Sequence, residues 1–146
     1  MENAEVEILL IEDNPNDAEM TIRALKKGNI SNKVIHLKDG AEGLDYLFCT
    51  GEYSSRDSNH KPKVILLDLK MPRVNGIEVL RKVKSNENTK TIPVVVLTSS
   101  KEDPDVSACY ELGVNSYIVK PVGFENFTKA ISEFGLYWLL LNHPHK

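Results

Sequence analysis

The chain's 146 residues fit one domain, and 41% hydrophobic content is enough for one packed core. A formal net charge of −3 gives no basic excess with which to release counterions from nucleic acid, so no nucleic-acid partner is expected. No apolar run reaches the roughly 20 residues a membrane helix needs, and the acidic start "MENAEVEILL" lacks the basic flank of a signal peptide.

The first predicted strand is "VEILLI", and it ends on Glu12 and Asp13. A helix over 15–27 follows, with Asn14 as N-cap, Pro15 in the first turn, Ala18, Ile22 and Leu25 facing inward, and Gly28 ending it. The second strand, "KVIHL", ends in Leu37 and offers no obvious chemistry, as suits a sheet edge. The second helix starts at "DGAE", where Asp39 and Glu42 have the spacing of a capping box. The long polar stretch "TGEYSSRDSNHKPK" is expected to be a mobile, solvated loop.

The third strand, "KVILLD", delivers Asp68 at its end. The next helix begins near Asn75 and buries Val79, Leu80 and Val83. "PVVVLT" ends in Thr98, followed by Ser99 and Ser100. The fourth helix starts at "DPD", with Asp103 as cap, Val106, Cys109 and Tyr110 on its inner stripe, and Gly113 closing it. "SYIVK" is the fifth strand and ends in Lys120 and Pro121. A last helix from about Gly123 carries Phe127, Ile131, Phe134 and Trp138 at helical spacing. Cys49 and Cys109 lack metal-ligand spacing and read as buried free thiols of a reducing, cytoplasmic protein.

Strand and helix alternate throughout, and several strands are continuously apolar, as strands covered on both faces must be. The fold class is therefore α/β with a mostly parallel sheet, in one domain over 1–146. In such a sheet, chemistry sits beyond the carboxyl ends of the strands. Those ends bring Glu12, Asp13, Asp68, Thr98 and Lys120 to one rim. Each alone has a bland explanation, since acidic residues commonly end strands and begin turns. Corresponding positions on otherwise apolar strands are harder to reach by chance. Crowded carboxylates repel unless a cation lies among them, and Mg²⁺ accepts carboxylates, waters and phosphate oxygens. A phosphoryl group passing to an aspartate also needs fixed positive charge and hydrogen-bond donors, which Lys120 and Thr98 supply.

At this point the residues resemble the CheY-like receiver domain of two-component response regulators: "IEDN", "LLDLKMPRVNG", "VVVLTSS" and "NSYIVKPV" match its motifs in order and at its spacing. The resemblance implies a doubly wound five-stranded parallel sheet of order 2-1-3-4-5. It implies Asp68 as phosphoacceptor and Mg²⁺ held by Asp13 and Asp68, with Glu12 nearby and the Lys70 main-chain carbonyl completing the set. It implies a switch through Thr98 and Tyr117, a cis Lys120–Pro121 bond, and a sensor histidine kinase as phosphoryl donor. The protein would transfer the group to itself and would not be a multi-substrate enzyme. The long loop and the ending "FGLYWLLLN" look like stand-alone receivers associated with phytochromes, which makes a photoreceptor kinase one candidate partner. Lys70 and Ser100 depart from common residues beside the site, which bears on phosphoryl lifetime, and Asn75 stands where Asp is common.

The apolar extension over about 135–142 must be covered by something. It either caps its own domain or forms a two-fold dimer patch with Leu136, Tyr137, Leu139 and Leu140 on the face of the fourth helix, fifth strand and last helix. With no effector segment after the receiver motifs, the output is expected to be a downstream protein contact or onward phosphotransfer. Two other functions compete. A phosphorylation-independent pseudo-receiver is disfavoured because every site residue is present. A Mg²⁺-dependent phosphohydrolase usually has DxDxT at its nucleophile, and Asp68-Leu69-Lys70 lacks the second Asp.

Overall fold

The computed structural model describes residues 7–27, 33–100 and 104–133. Five parallel strands lie in the order β2-β1-β3-β4-β5. They are β1 (Glu7–Ile11), β2 (Lys33–Leu37), β3 (Val64–Asp68), β4 (Val94–Thr98) and β5 (Ser116–Val119). The helices are α1 (Pro15–Lys27), α2 (Gly40–Phe48), α3 (Gly76–Ser85), α4 (Pro104–Glu111) and α5 (Phe124–Ser132). The expected sheet order and element alternation are thus both present.

Side chains alternate across a strand, so each central strand feeds two cores. Leu9, Ile11, Ile65, Leu67, Val94 and Val96 pack with α2, α3 and α4 through Tyr46, Leu47, Val79, Leu80, Val83 and Cys109. Ile8, Leu10, Val64, Leu66, Val95 and Leu97 pack on the other face with Ala18, Leu25, Phe127, Ala130 and Ile131 of α1 and α5. Each such aliphatic side chain contributes roughly 1.5–3 kcal/mol on burial. That two-sided cover explains why β3 and β4 are buried along their whole length.

Local signals set the helix starts. Asn14 Oδ1 accepts the Asp17 N–H at 3.0 Å, and Asn75 Oδ1 accepts that of Glu78 at 3.0 Å. Asp39 caps α2 by accepting the Glu42 N–H at 2.8 Å, but Glu42 reaches back to the N–H of Lys38, not to that of Asp39. The capping box is therefore offset by one residue. Gly113, at φ 99°, ends α4 in a conformation side chains disfavour.

Three expectations need correction. Tyr110 is 47% exposed, because Val106 and Cys109 fill the inner stripe of the short α4 and Tyr110 turns instead to the edge of Tyr117. Cys49 is only half-buried, since it ends α2 in a left-handed conformation at φ 58°. The long loop is largely exposed, as expected, but it is locally structured and not loose. A 3₁₀ turn at Gly51–Tyr53 starts it, Tyr53 donates its hydroxyl to Glu42 at 2.7 Å, and the Arg56 guanidinium lies 3.9 Å from the Tyr46 ring centre. Gly28, Asp103, Phe134, Trp138 and the proposed dimer residues Leu136, Tyr137, Leu139 and Leu140 lie outside the described residues. No described helix is long and apolar enough to cross a membrane.

Candidate functional site

The parallel register aligns the strand ends. Asp68 is level with Leu97, and Thr98 with Val119, so Asp68, Thr98 and Lys120 emerge at one rim beside Glu12 and Asp13. Beyond that rim lies an open cavity of about 470 Å³, bordered by Glu12, Asp13, Asp17, Asp68, Lys70 and Lys120.

Ligand oxygens of Glu12, Asp13 and Asp68 lie within 4.8 Å of one another. Glu12 and Asp68 are buried, and Asp13 is half-exposed. The Lys120 ammonium stands 3.0 Å from Glu12 Oε1, 3.1 Å from Asp68 Oδ1 and 3.1 Å from Asp17 Oδ2. The Lys120–Pro121 peptide is cis. Glu12 Oε2 accepts the Asn14 N–H at 3.2 Å, and Oε1 faces the Lys120 ammonium.

The electrostatics follow from this crowding. Burial, then the neighbouring Glu12 carboxylate, push the Asp68 carboxyl up to about 6, against the pull of Lys120. Asp13 is also raised, by burial and then by Asp68. For Lys120, burial works against the charged form, but Glu12 and Asp68 outweigh it and hold the ammonium firmly protonated. Two buried carboxylates sharing one ammonium leave negative charge uncompensated. The hard oxygen donor set and its close spacing fit a divalent cation.

The hydroxyl of Thr98 does not border the cavity. Thr98 is buried, and Oγ1 donates to the Ser100 carbonyl at 3.0 Å while accepting the Ser100 N–H at 3.3 Å. Ser99 borders the cavity in its place. Tyr117 is half-buried and meets Tyr110 edge to face at 6.3 Å. Two participants are missing from the sequence expectations. Asp17, in the first turn of α1, reaches Lys120 across the sheet end. His36, on the edge strand expected to contribute nothing, places Nε2 2.8 Å from the Glu12 carbonyl oxygen. The Asn-Pro-x-Asp spacing at the start of α1 was a usable signal for Asp17. Nothing local marked His36, whose partner lies 24 residues away.

Comparison with known proteins agrees with this geometry. Residues 8–132 match the response regulator receiver domain. Response regulator Rcp1 of Synechocystis is 39% identical over 132 residues, covering 90% of this chain and 88% of Rcp1. Rcp1 has also been solved in a Mn²⁺-bound form, with a TM-score of 0.73, 39% identity and coverage of 92% of this chain and 94% of that one. The bacteriophytochrome response regulator AtBRR is 50% identical with a TM-score of 0.87, covering 97% of this chain and 100% of that one. The cyanobacterial phytochrome response regulator RcpA, solved in phosphorylated form, is 36% identical with a TM-score of 0.75, covering 93% and 95%.

Proposed function

Because the chain belongs to the response regulator receiver domain family, a group of signalling domains, we propose that it is a stand-alone switch phosphorylated on Asp68 by a sensor histidine kinase. The observation that carries this reading is the Asp68 carboxylate at the rim, with Glu12 and Asp13 on one side and the Lys120 ammonium 3.1 Å away. An Asp68 oxygen forms the new bond to phosphorus as the phosphorus–nitrogen bond of the donor phosphohistidine breaks. The electron pair leaves with the imidazole. Lys120 meets part of the phosphoryl charge, and it needs no proton transfer to do so.

Asp13 and Asp68, with Glu12 close by and the main-chain carbonyl of Lys70, would hold Mg²⁺. The bound ion would supply further positive charge to the phosphoryl oxygens. The Mn²⁺-bound form of Rcp1 supports a divalent ion among these carboxylates. The Thr98 hydroxyl exchanges its Ser100 acceptor for a phosphoryl oxygen, and a charged acceptor makes the stronger hydrogen bond. Movement of Thr98 frees Tyr117 to turn inward, and the face of α4, β5 and α5 changes for a downstream protein.

The identity with bacteriophytochrome response regulators supports a photoreceptor-type kinase as donor. We further propose a homodimer on the α4–β5–α5 face, with the exposed members of Leu136, Tyr137, Leu139 and Leu140, which lie outside the described residues, in or near the contact. Radiolabel transfer from acetyl phosphate tests the phosphoacceptor reading. Stable labelling that needs Mg²⁺ is expected. Absence of label, or rapid turnover of unrelated phosphomonoesters, would overturn it.

A further inference from the structure

The Lys120 ammonium has a third carboxylate neighbour that does not come from a strand end. Asp17 stands in the first turn of α1, held there by the Asn14 side chain on its N–H. Its Oδ2 accepts a hydrogen bond from Lys120 Nζ at 3.1 Å. Glu12 Oε1 and Asp68 Oδ1 are as close to Nζ, at 3.0 Å and 3.1 Å. The ammonium is thus shared among three carboxylates, of which Asp17 is the most exposed. The Asp17 side chain keeps 38% of its exposure, against 0% for Glu12 and 4% for Asp68.

We infer that Asp17 is a positioning residue that draws the Lys120 ammonium toward α1 and so slows capture of a phosphoryl group by Asp68. The inference rests on Asp68 being the phosphoacceptor. Two effects act in the same direction. An ammonium has three N–H donors, and a donor spent on Asp17 is withheld from an incoming phosphoryl oxygen. Asp17 also borders the cavity, so its charge repels an anionic donor at the entrance. In the reaction with acetyl phosphate, an Asp68 oxygen bonds to phosphorus as the phosphorus–oxygen bond breaks, and acetate leaves with the electron pair. No proton moves, so Asp17 has no acid or base part in the step. It acts only through where it holds Lys120 and through its charge.

Asp17→Asn keeps the shape and removes the charge, whereas Asp17→Glu keeps the charge. With acetyl phosphate and Mg²⁺, Asp17→Asn should raise the second-order phosphorylation rate by about threefold or more, with the ratio to wild type falling toward one in 1 M salt. Asp17→Glu should stay near wild type. A second readout uses metal-free protein. Acylation of Lys120 by an amine-reactive anhydride, followed by peptide mass mapping, should be faster in Asp17→Asn and unchanged in Asp17→Glu. A wild-type adduct with equal or slower labelling in Asp17→Asn, or Lys120 acylation that does not change, would overturn this inference alone. No adduct in any variant would overturn the phosphoacceptor reading and this inference with it.

Discussion

Gly76 lies directly against the main chain of Asp68. A Cβ on Gly76 would stand 2.6 Å from Leu69 Cα and closer still to the Asp68 carbonyl oxygen. The Gly76 N–H donates to the Leu69 carbonyl at 3.0 Å, so α3 starts on the very backbone that carries the proposed acceptor. Gly76→Ala must push that backbone aside. It should cost about 1–3 kcal/mol of stability and slow phosphorylation. Thermal melts and acetyl phosphate labelling check this, and an unchanged melting temperature would mean that the contact relaxes freely.

Asp68 also gives a pH prediction whose sign can be worked out. Its carboxyl is raised to about 6 from an ordinary 3.8, so between those values the folded metal-free protein holds a proton that the unfolded chain has released. Stability from this group therefore falls as pH rises through that interval and is level above it. Asp68→Asn removes the effect. In chelator, its free energy of unfolding, read from denaturant melts, should exceed that of wild type at pH 7 by on the order of 1–3 kcal/mol, with the gap closing toward pH 4. A gap independent of pH would show that Asp68 is not strained by its neighbours.

Metal binding should depend on Asp13. Asp13→Asn keeps the shape but removes one of the clustered carboxylate charges. Mg²⁺ affinity, read by calorimetry, should fall by about tenfold or more, and Mg²⁺-dependent labelling should fall with it. Wild-type affinity in Asp13→Asn would move the metal to other ligands.

The long loop offers a control distant from the chemistry. Arg56 stacks on Tyr46, donates to the Tyr46 carbonyl at 3.0 Å and also bonds the His60 carbonyl at 3.1 Å. Arg56→Ala should cost about 1–2 kcal/mol and speed proteolytic cutting within the loop, while the labelling rate of Asp68 stays at the wild-type value.

The proposed dimer is tested by sedimentation at micromolar concentration. Replacing Leu136 and Leu140 with Asp would bury charge in the contact and should yield monomers. Wild-type protein that stays monomeric with and without phosphodonor would remove the dimer.

The parts legible in the sequence are those set by repeating physics. Apolar runs such as "VILLD" and "VVVLT" give buried strands, and Asn14 and Asn75 give helix starts. Shared strand ends then bring Glu12, Asp13, Asp68 and Lys120 together. Contacts that depend on side-chain reach across elements were not legible. The Asp17–Lys120 pair spans 103 residues, and Arg56 on Tyr46 depends on how a polar loop folds back. The state of Thr98 was hidden for another reason: its hydroxyl turns to a neighbour two residues away, a choice between partners that residue type does not decide.

The central claim is that Asp68 carries the phosphoryl group, and site mapping tests it most directly. Wild-type protein is incubated with acetyl phosphate and Mg²⁺, reduced with borohydride, digested and sequenced by mass spectrometry. An acyl phosphate on Asp68 is expected to be reduced to homoserine at position 68, with no such product when Mg²⁺ is chelated or in Asp68→Asn. Homoserine at another aspartate, or a phosphoryl adduct retained in Asp68→Asn at the wild-type rate, would contradict the assignment.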